Sequence, residues 1–330
     1  MKKYALILAL CALLGGPLFA GGQQGSSGAE TGKPWEPSRN VDWIVTSSAG
    51  GGSDIFTRVI SDIMVKEGFS KATIMVTNKT DGGGEVGRAQ VANTSSALAD
   101  HTLLTFNSGD LMPMVKNTPN RIAMFKPIGV LAVDKQLIFI NKTSAYKTFQ
   151  AVIDAVKGGK KVVMGGSKGD DIATYNLLLS EMKWTETQLP YITYDSTNDA
   201  LTAILGNHVD IVISKPAASA GYVEAGDLLP ILALSTERYT GNLSGAPILS
   251  ELGYKNVEIP VWRGVVGPAA MSAQAQAYWS DILKKVSETQ TWKKDYLEKF
   301  KLMSDYKTFE EATAYMTKYQ ADYMAANGIK

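Results

Sequence analysis

The chain of 330 residues holds one cysteine, Cys11, and two histidines, His101 and His208. Structural zinc sites are built from cysteine and histidine clusters, and a disulfide framework needs paired cysteines, so both are excluded. No metal and no cofactor are expected. A surplus of charge is lacking too: 33 Lys and Arg face 32 Asp and Glu, a formal charge of +1. There is no Lys/Arg run to displace phosphate counterions, and no nucleic-acid partner is expected. Beyond the first residues no stretch is long and apolar enough to cross a bilayer. What remains is an ordinary globular composition, 45% apolar and 20% charged. At ~150 residues per domain the length suits about two domains.

The N-terminus carries Lys2 and Lys3, an apolar run from Tyr4 to Leu14, then Gly15, Gly16, Pro17 and Ala20. A positive start, a short apolar stretch, a turn and a small residue are the parts of a secretory signal peptide, so residues 1–20 are expected to be removed after Ala20. As an alternative, Leu8-Ala9-Leu10-Cys11 loosely resembles a lipobox, with Leu10 where a small residue is usual, and Cys11 would then carry a lipid anchor. Residues 21–34, rich in Gly, Ser and Gln, read as a flexible leader. Loss of the first twenty residues removes two lysines and no acid, leaving 31 basic against 32 acidic residues, a charge of −1 and no cysteine.

From Val41 onward, short apolar runs alternate with amphipathic helical stretches, the pattern of α/β sheets with covering helices. Val41 to Thr46, Thr73 to Thr77 and His101 to Phe106 read as strands. Between them Ile55, Val59 and Ile63 mark a helix face, with Ser53 as its N-cap, and a second helix runs from about Glu85 to Asn93. Val130 to Ile140 is a long extended stretch broken by Asp134-Lys135-Gln136. The alternation then restarts, with a helix face of Phe149, Val152, Ile153 and Val156, a strand at Lys161 to Met164, and a helix through Tyr175, Leu178 and Met182. Strands at Tyr191 to Tyr194, Val209 to Ile213 and Leu229 to Leu234 follow, and two helices close the tail. This second series is the argument for a second lobe.

Three glycine-rich turns stand between a strand and a helix: Ser47 to Ser53, Asp81 to Gly84, and Gly165 to Gly169. Each places unpaired N–H groups at a helix start, where the helix dipole also favours negative charge, and so can bind a carboxylate or phosphate without an arginine. One exposed helix end contributes only ~0.3–1 kcal/mol, so several must face one cleft. The plainer reading is that glycine simply permits tight turns. The first turn is a poor dinucleotide fingerprint, because Ile55 stands where the third glycine belongs. Gly165-Gly166-Ser167-Lys168-Gly169 formally matches a nucleophile elbow, which keeps a secreted serine esterase using Ser167 as the alternative. His208, its only downstream histidine, reads as a surface loop residue. Asp54 and Arg58 are spaced to pair along one helix, while Asp170 and Asp171 suit a helix start or an amino group on a ligand. Lys168 and Lys215 are mostly expected to be solvated, but each lies beside a candidate cleft turn.

Several of these stretches, in order, resemble the solute-binding proteins of tripartite tricarboxylate transporters, the TctC or Bug family. The run Ile44 to Asp54 with Arg58 is similar to that family's first glycine loop, Asn78 to Gly84 with Gly87 to its second, and Gly165 to Gly169 to a third. Asp100 to Leu104, Phe125 to Ile128, Tyr194 to Asp210, Leu232 to Arg238, Pro247 to Gly253 and Trp262 to Pro268 are similar to further family segments. The resemblance implies an α/β periplasmic-binding-protein fold of two lobes, a type II-like Venus flytrap, each lobe a mixed β-sheet flanked by helices. It implies a periplasmic, non-enzymatic, monomeric receptor that closes on a small carboxylate, a dicarboxylate, tricarboxylate or amino acid-like one, in the cleft between the lobes and passes it to large and small membrane subunits. Lobe 1 is expected at 35–133 plus 236–330 and lobe 2 at 134–235. The expected site takes Ser47, Ser48, Gly51, Gly52, Ser53, Gly82, Gly83, Gly84, Asn107 and Ser108 from lobe 1, and Ser167, Lys168, Asp171, Tyr194, Asp195 and Ser214 from lobe 2. Ser47 and Ala49 stand where the family has an aromatic residue and a proline, so an apolar cover over the ligand is expected to be missing, and Asp195 stands where it has lysine, a charge reversal that favours an amino-bearing or otherwise polar carboxylate over a plain di- or tricarboxylate.

Overall fold

The computed structural model describes residues 34–330, so the expected signal peptide, most of the leader and Cys11 lie outside the described residues. Val41–Val45 (β1) leads into Gly52–Lys66 (α1), and Ile74–Asn78 (β2) passes through a short 3-10 turn, Asp81–Gly84, into Glu85–Ala92 (α2). The one-turn helix Ser96–Ala99 (α3), Thr102–Asn107 (β3), Ser108–Asn117 (α4) and Phe125–Asp134 (β4) complete the first run. The second run is Gln136–Asn141 (β5), Phe149–Lys157 (α5), Met164–Ser167 (β6), Asp170–Met182 (α6), Tyr191–Tyr194 (β7), Thr197–Leu205 (α7), Ile211–Ser214 (β8), Pro216–Glu224 (α8) and Leu228–Leu234 (β9). Val261–Pro268 (β10), Ala273–Glu288 (α9), a π-helical segment Trp292–Glu298, Met303–Lys307 (β11) and Phe309–Ala326 (α10) finish the chain.

The strands form two mixed sheets, β11-β4-β10-β3-β1-β2 and β7-β6-β8-β5-β9. Both follow one plan. A parallel triple, β2-β1-β3 in the first and β7-β6-β8 in the second, is flanked by an antiparallel strand, β10 or β5. The inner strands β1, β3, β4, β10, β5 and β8 are buried on both faces and carry mostly apolar residues, while the edge strands β2, β7 and β11 are partly exposed. Trp43 and Leu103 face the core under α1 and α9, while their neighbours Ile44 and Leu104 face the one under α4 and α10. In the second sheet Ile138 and Ile140 face α5 and α6, while Leu137 and Phe139 face α7.

The chain passes from the first sheet to the second between Asp134, the end of β4, and Gln136, the start of β5. It returns after Val257, because Leu243, Ala246, Leu249 and Val257 are buried with the five-stranded sheet and Ala233 makes a bridge to Ile248. A boundary at residue 235 would assign that stretch to the other half. The two crossings are fastened to each other by Lys135 Nζ and Glu258 Oε2, 3.3 Å apart.

Three local expectations change. The buried face of α1 is Phe56, Ile60, Ile63 and Met64, with Ile55 and Val59 only partly covered, because the long apolar side chains turn toward the π-helical segment. Its N-cap is Gly51, and Ser53 already lies inside the first turn. The strand expected at Lys161 to Met164 is Met164–Ser167, since its register with Tyr191–Tyr194 draws the glycines into the sheet. Phe56 has no exposed surface and meets Trp292 and Tyr296 edge-on, with ring centroids 5.9 and 6.0 Å away. Phe56→Ala is expected to cost about 3–5 kcal/mol, the transfer and cavity cost of an emptied aromatic site. Urea denaturation measures it, and a loss below ~1 kcal/mol would contradict the packing described here.

Candidate functional site

All six strands of the two parallel triples contribute residues just beyond their carboxyl ends to one polar cavity of about 70 Å³. Thr46 and Ser47 follow β1, Gly83 follows β2, Asn107 ends β3, Ser167 ends β6, Asp195 follows β7 and Lys215 follows β8. Open α/β sheets bind ligands at this edge, where loops and helix N-termini converge.

On the first sheet's side, Asp54 shapes the loop. Its carboxylate accepts the Gly50 N–H at 2.9 Å and the Asn78 side chain at 3.0 Å, and pairs with Arg58 at 3.0 Å. Asn78 also donates to the Ser47 carbonyl at 2.8 Å. Burial pushes the Asp54 carboxyl up, but hydrogen bonds from Arg58, Gly50 and Asn78 outweigh it and hold the group below its usual range. The pair that the spacing predicts as a plain helix contact is therefore a loop anchor. Gly51 caps α1 without a side-chain hydrogen bond, so the leading N–H groups of the helix are left for a ligand. The second turn needs its glycines: Gly82, Gly83 and Gly84 have φ of 57, 71 and 82°, a left-handed run that side chains rarely adopt. Behind it Arg88 bridges the Gly83 carbonyl at 3.1 Å and Asp110 at 3.0 Å.

The third turn behaves differently from the expectation. Asp171 turns inward and accepts the Ser167 N–H at 2.7 Å and the Ser167 hydroxyl at 2.6 Å. The Ser167 N–H and hydroxyl of this turn are thus taken by an internal carboxylate where the sequence suggested an open anion site. Asp171 in turn pairs with Lys215 at 2.5 Å, and Asp170 pairs with the same lysine at 2.6 Å. Lys215, expected in solvent, is 5% exposed. Burial pulls its ammonium down, yet the two carboxylates outweigh that and hold it above its usual range. Burial raises Asp171 to about 6 despite the nearby Lys215. The Ser167 hydroxyl therefore touches an aspartate and a lysine held protonated, and no histidine is among its hydrogen-bond partners. His208 is exposed and His101 bonds Ser38.

Arg263, on β10, is the residue that the sequence reading missed in the cavity wall. It is 3% exposed and its Nη2 meets Asp134 at 2.5 Å. Its Nε has no partner among the described residues. A Cβ on Gly52 would lie 2.7 Å from Nη2, so the guanidinium packs directly on the first turn of α1. The missed signal is a lone arginine inside the apolar run Val261-Trp262-Arg263-Gly264-Val265-Val266, where a buried charge must have partners.

Of the expected residues, Ser47, Gly51, Gly52, Ser53, Gly83, Asn107, Ser167, Lys168 and Asp195 line the cavity. Ser48, Gly82, Gly84, Ser108, Asp171, Tyr194 and Ser214 are not in its wall. Ser48 donates across to Asp199 at 3.2 Å, Gly84 packs against Thr46, the Tyr194 ring lies over Gly165, and Ser214 donates to the Lys215 carbonyl at 3.2 Å. Thr46, Gly109, Asp110, Asp170, Ser196, Thr197, Lys215 and Val261 join Arg263 as lining residues outside the expected set. Lys168 is partly covered and pairs with Asp195 at 3.1 Å.

A profile of the family described as "Tripartite tricarboxylate transporter family receptor" matches residues 57–322. The chain belongs to that receptor family. A Cupriavidus necator relative, the "UPF0065 protein in gbd 5'region", is 26% identical over 301 residues, 89% of this chain and 85% of that one. The structure of MatC from Rhodopseudomonas palustris with bound malate superposes with a TM-score of 0.77 at 18% identity, covering 88% of this chain and 98% of the other. A second R. palustris protein, with adipate, gives 0.76 at 15% identity over 89% and 97%. These structures share the two-lobed fold of periplasmic binding proteins, so this receptor is of the same α/β fold class.

Removing the lysine of this receptor's buried triad leaves two carboxylates facing each other. Burial pushes the Asp171 carboxyl up to about 6 even beside Lys215, against an ordinary 3.8. Between those values the folded chain binds a proton that the unfolded chain releases, so stability falls as pH rises through that window. Without Lys215 the folded value moves higher and the window widens upward. Lys215→Met is expected to lose about 3–5 kcal/mol at pH 8 and clearly less at pH 5. Melting curves at both pH values test this, and equal losses would contradict it.

Proposed function

We propose that this receptor acts outside the cytoplasm as a monomer, binding a small carboxylate in the cavity and delivering it to large and small membrane subunits of a tripartite transporter. The six-stranded sheet and its helices form lobe 1, residues 35–133 with the tail from about 259, and the five-stranded sheet forms lobe 2. Export through the N-terminal segment, with cleavage after Ala20, belongs to the same reading, with lipid anchoring at Cys11 as its alternative.

The observation that carries the proposal is the packing of Arg263 on Gly52. A helix N-terminus and a guanidinium are both positive, and their juxtaposition in a buried wall is favourable when an anion lies between or beside them. Arg263 has five N–H donors, of which Nη2 is engaged by Asp134. The remaining donors, the Ser47 hydroxyl, which has no partner among the described residues, and the leading N–H groups of α1 would share the carboxylate. On the opposite wall Ser167, Lys168, Asp170 and Asp195 would read the polar part of the solute, with Asp170 and Asp195 able to accept from an amino or hydroxyl group. Malate in the MatC relative fits a carboxylate ligand for this fold.

Thermal-shift and calorimetric titration with a panel of carboxylates and amino acids tests the reading. Arg263→Gln is expected to weaken the bound carboxylate ~10–150-fold, the equivalent of a charge-assisted hydrogen bond. Gly52→Ala is expected to weaken it as well, because the added Cβ would sit 2.7 Å from Nη2 and displace the guanidinium. Saturating carboxylates that never shift the melting temperature would refute the proposal, and unchanged affinity in both variants would move the carboxylate elsewhere.

A further inference from the structure

Resting on that reading, we infer that the solute is a monocarboxylate with a bulky apolar body, whose head occupies the polar cavity and whose body fills a second compartment beside it. The polar cavity, at about 70 Å³, holds the equivalent of roughly five waters, space for a short-chain acid and no more. A larger ligand must extend out of it. The two compartments share Gly83 and Lys168, and the second measures about 720 Å³. That size is typical of sites that bury the whole of an organic ligand.

Most of the wall area of the second compartment is apolar, and the charged residues at it, Arg88, Lys116 and Lys168 against Glu85, Glu258 and Asp322, cancel. Met112 of α4, Ile172 and Leu177 of α6, Ile259 near the return crossing, and Tyr319 and Tyr323 of α10 face it. Leu177 is 42% exposed, and Ile172 and Ala173 on the same helix are only partly covered, so α6 leaves an apolar strip open along this compartment. The doorway is narrow but weakly held. Lys168 Nζ would lie 3.2 Å from a Cβ on Gly83, and its ion-pair partner Asp195 is 73% exposed. A pair so open to water contributes little and can part to admit a chain.

Charge selects against a compact di- or tricarboxylate. The side chains lining the polar cavity include Lys168, Lys215 and Arg263 against Asp110, Asp170 and Asp195, a balance of zero. The donors around Arg263 serve one carboxylate, and no surplus of positive charge remains for a second or third. The apolar compartment continues from this head site and suits a neutral body.

Calorimetric titration of the full chain with acetate, succinate, octanoate and 4-phenylbutyrate tests the inference, repeated with Leu177→Trp, which narrows the compartment, and Ile172→Asp, which charges its wall. Octanoate and 4-phenylbutyrate are expected to bind at least tenfold more tightly than acetate and succinate, and both variants to lose that advantage while acetate and succinate are unchanged. Succinate binding as tightly as the longer acids would overturn the inference and leave the carboxylate-receptor reading standing. So would long acids that bind both variants as well as the unaltered chain. No binding by any of the four, or by the wider carboxylate panel, would overturn the reading and the inference together. The comparison of the four acids on the unaltered chain decides the matter even if a variant does not fold.

Discussion

The buried contact between Asp134 and Arg263 is the constraint around which the molecule is arranged. Asp134 is the last residue of β4 before the chain leaves the six-stranded sheet, and Arg263 lies on the antiparallel neighbour β10. Burial raises the Asp134 carboxyl, and the guanidinium beside it works the other way. Neither charge is tolerable in that position alone, because a desolvated ion without a partner costs several kcal/mol. The same guanidinium rests on Gly52, so the partner of a crossing strand is also a wall of the cavity. Strand pairing, the departure of the chain toward the second sheet and the positive edge of α1 are thus joined in one side chain.

The second sheet handles its charges in another way. Asp170, Asp171 and Lys215 close on each other, with Gln136 and Ser167 completing the hydrogen bonds of Asp171. A buried group of this kind is satisfied internally and presents a set orientation to the cavity. The two parallel triples share one topology, and in each an aspartate in the first turn of the helix, Asp54 or Asp171, accepts the N–H four residues earlier. The difference lies in the cation each meets: Asp54 pairs with the largely exposed Arg58, and Asp171 with the buried Lys215.

The two-series alternation, the glycine turns and the pairing of Asp54 with Arg58 were legible in the sequence because they depend on residues close along the chain. Nine expected site residues lie in the cavity wall for the same reason, since each turn carries its residues to the carboxyl end of its strand. The lone arginine in an apolar run marked Arg263 as a buried charge, but its place in the cavity was not legible. It reaches the cavity through the antiparallel pairing of β10 with β3 and β4, strands more than a hundred residues earlier, and nothing local announces that register. Lys215 was misjudged because a lysine beside a turn is ordinarily solvated, and only the tertiary approach of Asp170 and Asp171 makes its burial tolerable. The late return after Val257 escaped notice because residues 243–257 have little regular structure to mark which sheet they cover, and their packing becomes apparent only in three dimensions.

The pairing of Lys135 with Glu258 makes the two crossings a single joint. One crossing has a single residue between its strands, and the other enters β10 directly after Glu258-Ile259-Pro260. Short, tied connectors resist sliding of one half past the other and leave rotation as the soft coordinate. Within the proposed function, a solute held against both halves would act on the angle between them, with Lys135 and Glu258 at its vertex.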